Sequence, residues 1–241
     1  MQFAGKTAII TGAGKGIGRA TAKLLAARGA EVVALSRTPT DLESLVREIG
    51  GRAVAVDLAD PQATRAAMAQ AGTADFLINC AGINVLESVT EMSEAGFDAV
   101  IGINLRAALI TCQEFARTRI AAGGGGAIVN ITSIAGHRGF QDHVAYAASK
   151  AGLEGASRVM AKELGPHGIR VNCVAPTITL TELALEAWSD PEKSAPMMVR
   201  HPMQRFASAE DVAQSIALLL SDDAGMMTGA VVPVDGGFLA V

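Results

Sequence analysis

The sequence predicts an α/β fold: one doubly wound parallel sheet of about seven strands with helices on both faces. Three observations predict it. Short β-branched runs alternate along the chain with longer Ala/Leu-rich stretches at helical spacing. The short runs are apolar throughout rather than alternating with polar residues, as in strands buried on both faces. No obvious linker interrupts the alternation, so residues 1–241 read as one domain.

The first strand is predicted at 6–11 (K-T-A-I-I-T), ending in a glycine cluster that opens a helix over 17–28. A second strand at 31–36 is followed by a helix over 42–49. The third strand, 53–57, precedes a helix over 62–71, and the fourth, 76–79, precedes a long helix over 97–119. Gly123–Gly126, four glycines in a row, reads as a flexible connector into a fifth strand at 127–132. A helix over 146–164, a strand at 170–174, a helix over 209–220 and a last strand at 230–234 complete the pattern. The stretch 177–204 is long, rich in Pro and Met, and holds the single tryptophan; it is expected to form a short helical lid over a pocket.

Composition excludes several functions. The chain has 241 residues, half of them apolar, and a net charge of −4 with no basic stripe, which argues against nucleic-acid binding. One Trp, one Tyr and seven Phe give little material for base stacking. Cys80, Cys112 and Cys173 are odd in number and scattered, which suits small buried apolar residues in a reducing compartment; a cytoplasmic protein is expected. No signal-peptide pattern opens the chain, and no continuous apolar run is long enough to span a membrane. His137, His167 and His201 lack partners at metal-ligand spacing, so no metal is expected.

The turn T-G-A-G-K-G-I-G carries Gly12, Gly14, Gly16 and Gly18 between the first strand and first helix. Its spacing fits T-G-x-x-x-G-x-G, through Gly12, Gly16 and Gly18. Such a turn lets the backbone approach a pyrophosphate and aims a helix N-terminus at it. The end of the second strand carries Ser36, Arg37 and Thr38, with no acid to hold a ribose 2′-hydroxyl. Arg37 and Lys15 suit a 2′-phosphate, so NADP(H) is favoured and NAD(H) stays possible. Asp57 is placed either to receive an adenine amino group or to cap the next helix.

With this turn occur N-C-A-G at 79–82, Asn104, I-T-S at 131–133 and Y-A-A-S-K at 146–150. Together, in this order and spacing, they resemble the short-chain dehydrogenase/reductase family over essentially the whole chain. V-V-A-L-S-R-T at 32–38, E-L-G-P-H at 163–167, A-P-T at 175–177, W-S-D-P at 188–191 and D-G-G-F at 235–238 resemble its L-xylulose (dicarbonyl) reductase and carbonyl reductase type. The resemblance implies a Rossmann-like fold and NADPH-dependent reduction of α-dicarbonyls and ketoses such as L-xylulose. The reaction would be reversible as polyol or secondary-alcohol oxidation, usually in a homotetramer. It also implies cofactor contacts from Ile17, Leu58, Asn79, Ala81, Gly82, Pro176, Ile178 and Thr181. Two positions depart from the family pattern: Cys80 stands for a second Asn, and Thr177 for the glycine usually following Pro176.

Carbonyl reduction needs a hydride, a proton and stabilisation of charge developing on oxygen. Tyr146 and Lys150, at i and i+4, share one helix face. Tyr146 is the expected proton donor, with the Lys150 ammonium expected to lower its pKa and to reach the cofactor ribose. Ser133, ending the fifth strand, would hydrogen-bond the substrate carbonyl, and the resemblance implies a water-binding role for Asn104 in a proton relay. His143 and Trp188 are candidate substrate contacts; alternatively they are helix-terminal polarity and a packing anchor. Two other functions stay open. A 3-oxoacyl-thioester reductase would need basic residues to meet an acidic carrier, with Arg117, Arg119 and Arg170 as candidates; a nucleotide-sensing regulator would be expected to lack Tyr146, Lys150 or Ser133.

Overall fold

In a computed structural model the strands are β1 (Thr7–Thr11), β2 (Glu31–Ser36), β3 (Arg52–Ala55), β4 (Phe76–Asn79), β5 (Gly126–Ile131), β6 (Ile169–Pro176), β7 (Thr179–Leu180), β8 (Ala207–Ser208) and β9 (Val231–Val234). The structure describes residues 1–181, 184 and 188–241, apart from the side chain of residue 193. Seven strands form one parallel sheet in the order β3-β2-β1-β4-β5-β6-β9. β1 pairs with β2 on one side and β4 on the other, so the order reverses there and a crevice opens at the strand carboxyl ends.

The α-helices whose full range lies among the described residues are α1 (Gly16–Ala27), α2 (Pro39–Ile49), α3 (Pro61–Ala71), α4 (Glu94–Ile101), α5 (Ala108–Ala121), α6 (Val144–Leu164), α7 (Pro191–Val199) and α8 (Ala209–Leu220). Each sheet face has its own core. Ala22 and Leu25 of α1, Leu42 and Leu45 of α2 and Val212 and Ile216 of α8 cover one face. Ala67 and Met68 of α3, Cys112 and Phe115 of α5 and Ala161 of α6 cover the other. Strands buried on both sides explain their unbroken apolar sequence.

Two expectations needed correction. The helix expected over 97–119 is α4 and α5 joined by a π-helical turn, Gly102–Ala107, which carries Asn104. By length and composition the resulting Glu94–Ala121 helix is apolar enough to cross a bilayer, although it contains no unbroken apolar run of spanning length. It packs instead on α3 and α6. The glycine run is a packed junction rather than a loose connector: a Cβ on Gly125 would lie 2.6 Å from the Gly168 carbonyl oxygen, and one on Gly126 2.6 Å from that of Asp75. Within the expected lid, 177–204, β7 pairs with β8 and α7 forms a helix, while residues 182–183 and 185–187 lie outside the described ones.

Candidate active site

The glycine turn is built by close approach. Gly12 and Gly16 have φ of +67° and +53°, where residues with a Cβ are strained. A Cβ on Gly18 would lie 2.3 Å from the Gly12 carbonyl oxygen, and one on Gly12 2.8 Å from the Ala81 nitrogen. The turn therefore presses α1 onto β1 and onto the loop after β4. α1 starts after Lys15 with no side-chain cap and no acid in its first turn. Asp60, Ser93, Asp190 and Ser208 cap α3, α4, α7 and α8, whereas α2 and α6 also start without a side-chain cap. The first amides of α1 thus suit a bound anion. A cavity of about 510 Å³ lies alongside, bounded by Gly14, Lys15, Arg19, Asp41 and Thr181.

The cations expected at that end are both exposed. Arg37 and Thr38 follow β2 directly, and Thr38 begins α2 without a capping bond. Lys15 pairs with Asp41 at 3.5 Å, an acid the sequence reading passed over because a carboxylate in the first turn of a helix is ordinary. Asp57 does not cap α3, since that cap is Asp60. Its carboxylate instead accepts from the Ala59 N–H at 3.0 Å and stays exposed beyond β3. Leu58 is buried in the core.

The side chain of Asn79 turns into the sheet. Its amide donates to Asn130 Oδ1 at 2.9 Å and its oxygen accepts from the Thr111 hydroxyl at 2.7 Å. Asn130 in turn donates to Ser157 of α6, so a buried polar ladder ties β4 and β5 to α6. At the crevice the backbone remains: the Ala81 N–H donates to Thr11 at 3.3 Å, and Gly82 lies between Asn104 and Lys150.

Ser133, Tyr146 and Lys150 converge. Ser133 lies two residues past β5, where its hydroxyl accepts from the Ala135 N–H at 3.1 Å. Lys150, buried one turn after Tyr146 on α6, donates from Nζ to the Ile131 carbonyl at 2.8 Å and lies 5.5 Å over the Tyr146 ring. All three line a cavity of about 580 Å³ with Ile17, Cys80 and Thr181. Asn104 is 1% exposed, and its amide clamps the loop after β4: Nδ2 donates to the Ile83 carbonyl at 2.9 Å and to Ser149 at 3.1 Å, while Oδ1 accepts from the Ile83 N–H at 2.8 Å. Both donors being engaged, the side chain keeps one acceptor site for water.

Burial dominates the electrostatics. It pulls the Lys150 ammonium down to about 8. It pushes the Tyr146 phenol above its ordinary value, with a hydrogen bond from Ser133 acting the other way. The expected lowering of that phenol by Lys150 is therefore reversed, because desolvation of a phenolate costs more than its neighbours return. Cys80, expected to be a buried apolar residue, is part-buried against the core and also lines the cavity, and desolvation pushes its thiol up to about 12.

The outer candidates sit at the margins. His143 precedes α6, with Nδ1 2.5 Å from the Gln141 carbonyl and its ring edge-on to Tyr146 at 5.9 Å. Trp188 packs edge-on against Phe206 at 5.6 Å. Neither is among the residues that line the cavity. Pro176 ends β6 and also lines it; the Ile178 carbonyl accepts from Ala207, and Thr181 Oγ1 accepts from the Ala184 N–H. Arg119 is tied to Asp75 and the Gly125 carbonyl, and Arg170 to the carbonyls of Leu219, Leu220 and Ser221. Two of the three arginines considered for carrier docking are thus structural.

A family model described as Enoyl-(Acyl carrier protein) reductase matches residues 12–239. The chain is 48% identical over 241 residues to the L-xylulose reductase of Bos taurus, covering 100% of this chain and 99% of that one. It superposes with a TM-score of 0.93 and 38% identity on a solved short chain dehydrogenase/reductase family protein, each covered in full. A second structure, from Agrobacterium tumefaciens with bound NADP, matches with a TM-score of 0.92 and 35% identity over 100% of this chain and 98% of that one. With a capless helix behind a glycine turn beside a Ser-Tyr-Lys cavity, these matches lead to one conclusion: the chain belongs to the short-chain dehydrogenase/reductase family, as an oxidoreductase of small carbonyl compounds with a nicotinamide cofactor.

Proposed function

We propose that the protein is an NADPH-dependent reductase of α-dicarbonyls and ketoses of the L-xylulose kind, able to oxidise the corresponding alcohols in reverse. The observation that carries this is the cavity shared by Ser133, Tyr146 and Lys150 with Ile17 of the glycine turn. A bound nicotinamide supplies the hydride to the carbonyl carbon. Ser133 hydrogen-bonds the carbonyl oxygen and orients it. Tyr146 delivers its hydroxyl proton to that oxygen as charge develops, giving the alcohol. Lys150 sets the electrostatics at the tyrosine and meets ribose hydroxyls, and Asn104 holds the adjoining loop. The glycine turn and α1 take the pyrophosphate, and Ala81, Gly82, Ile178 and Thr181 border the rest of the cofactor. Arg37 and Lys15 take the 2′-phosphate, with Lys15 exchanging its Asp41 partner for it.

The sequence likeness to a ketose reductase and the fold likeness to an NADP-bound structure support this reading. Initial rates with diacetyl, L-xylulose, other ketoses and acetoacetyl thioesters, each with NADPH and NADH, test it. Turnover of the dicarbonyl and ketoses with NADPH is expected. Turnover of the thioesters alone, or much faster turnover with NADH, would overturn it.

A further inference from the structure

His201 has no part in the reaction so far, yet it is fully buried. It lies two residues past α7, enclosed by the rings of Phe206 and Phe238 with centroids 5.3 and 5.1 Å away. Both ring nitrogens have partners. Nδ1 is 2.8 Å from the carbonyl oxygen of Met197 in α7, and Nε2 is 2.8 Å from the Thr177 hydroxyl. A carbonyl cannot donate, so Nδ1 carries the hydrogen. In the neutral ring Nε2 then accepts from Thr177.

Thr177 is the residue standing where the family pattern has glycine. Among the described non-glycine residues only Asp142 and Gln204 have positive φ, so the backbone at 177 makes no demand for glycine. Every polar group of Thr177 is engaged: its N–H donates to the Val234 carbonyl of β9 at 3.2 Å, its carbonyl accepts from the Thr179 hydroxyl at 3.0 Å, and its hydroxyl meets His201. Thr177 and Thr179 both line the cavity that holds Tyr146 and Lys150. One threonine thus joins the cavity wall to β9 and, through His201, to α7.

We propose that His201 is a positioning residue: as a neutral, Nδ1-protonated imidazole it latches α7 to the wall around Thr177, and so fixes the surface against which the nicotinamide end of the cofactor packs. This rests on the cofactor reading above. Loss of either partner strands a buried polar atom and loosens the wall.

Two measurements test it. The first reads the imidazole nitrogens of the wild-type protein by long-range proton–nitrogen NMR. The His201 signals are identified with His201→Gln or, should that variant not fold, by substituting the other three histidines in turn. A hydrogen on Nδ1 with a bare Nε2 is expected; an Nε2-protonated ring or an imidazolium at neutral pH overturns the latch.

The second is NADPH binding to substrate-free enzyme, followed by fluorescence. Thr177→Val and His201→Leu are each expected to weaken it about fivefold, and Thr177→Ser to restore it. The double variant should lose about fivefold in total, not the product of the two losses. Multiplying losses, or no loss in either variant, would overturn the proposal. If wild-type protein binds neither NADPH nor NADH, the cofactor reading fails instead. The latch is then judged by the tautomer and by the same coupling in urea midpoints.

Discussion

Tyr146 and Lys150 pull in opposite directions from their ordinary pKa values, and both shifts come from burial. A phenol pushed up keeps its proton at neutral pH, the form needed to reduce a carbonyl; alcohol oxidation needs the phenolate. Reduction should therefore stay level through neutral pH while oxidation climbs on the alkaline side, as paired pH–rate profiles would reveal. For Lys150 the linkage sign is opposite to that of a stabilising ion pair. Its folded pKa of about 8 lies below the 10.5 of a free lysine, so the unfolded chain binds more protons between those values. The burial penalty is full below about 8 and lifts as pH rises towards 10.5. Urea midpoints of wild type and Lys150→Met should move in favour of wild type over that window; a constant gap would contradict the burial assignment. The residue types of the site were legible because Ser133, Tyr146 and Lys150 stand in a spaced pattern. The cavity position of Cys80 and the inward turn of Asn79 were not, since they depend on loop geometry and on partners such as Asn130 and Thr111 that are distant in sequence.

At the scale of elements, the glycines separate into steric and conformational cases. A Cβ on Gly126 would meet the Asp75 carbonyl at 2.6 Å and the Phe115 ring at 3.4 Å, whereas at Gly123, with φ of +69°, nothing lies within 4 Å. Gly126→Ala is expected to lose about 1–3 kcal/mol in urea denaturation through overpacking, and Gly123→Ala about 1–2 kcal/mol through backbone strain alone. In the cofactor turn, Gly18→Ala should abolish NADPH binding because the clash at 2.3 Å is with backbone, while Gly14→Ala, facing side-chain atoms of Asp41 and Ser36 at 3.0 Å, should weaken it less. Titration of NADPH by fluorescence distinguishes them. The strand–helix alternation was readable because each periodicity runs for several residues. The two-residue strands β7 and β8 were not, being too short to carry a period, and the π turn around Asn104 interrupts a helix without altering its composition.

For the whole molecule, fold class followed from apolar strands, but the spatial order of the sheet did not. That order is set by right-handed crossovers and by which faces each helix can cover. Ligand linkage tests the molecule as a unit: NADPH at about 100 times its Kd should raise stability by about 2.7 kcal/mol, and NADH at equal concentration by less. Equal protection by both would remove the roles given to Lys15 and Arg37. We also propose a homotetramer. Exposed Phe97, Ile120, Val144 and Val159 lie on α4, α5 and α6, which offer an apolar surface for one interface. Light scattering during size exclusion should give a four-chain mass.

The most direct test of the account is Tyr146→Phe, which removes one hydroxyl from the cavity and leaves the ring. With diacetyl and NADPH, kcat is expected to fall by about 10²–10⁴ while NADPH binding stays close to wild type. Near-full activity in a variant that still binds NADPH would contradict proton transfer by Tyr146, and with it the mechanism proposed for this site.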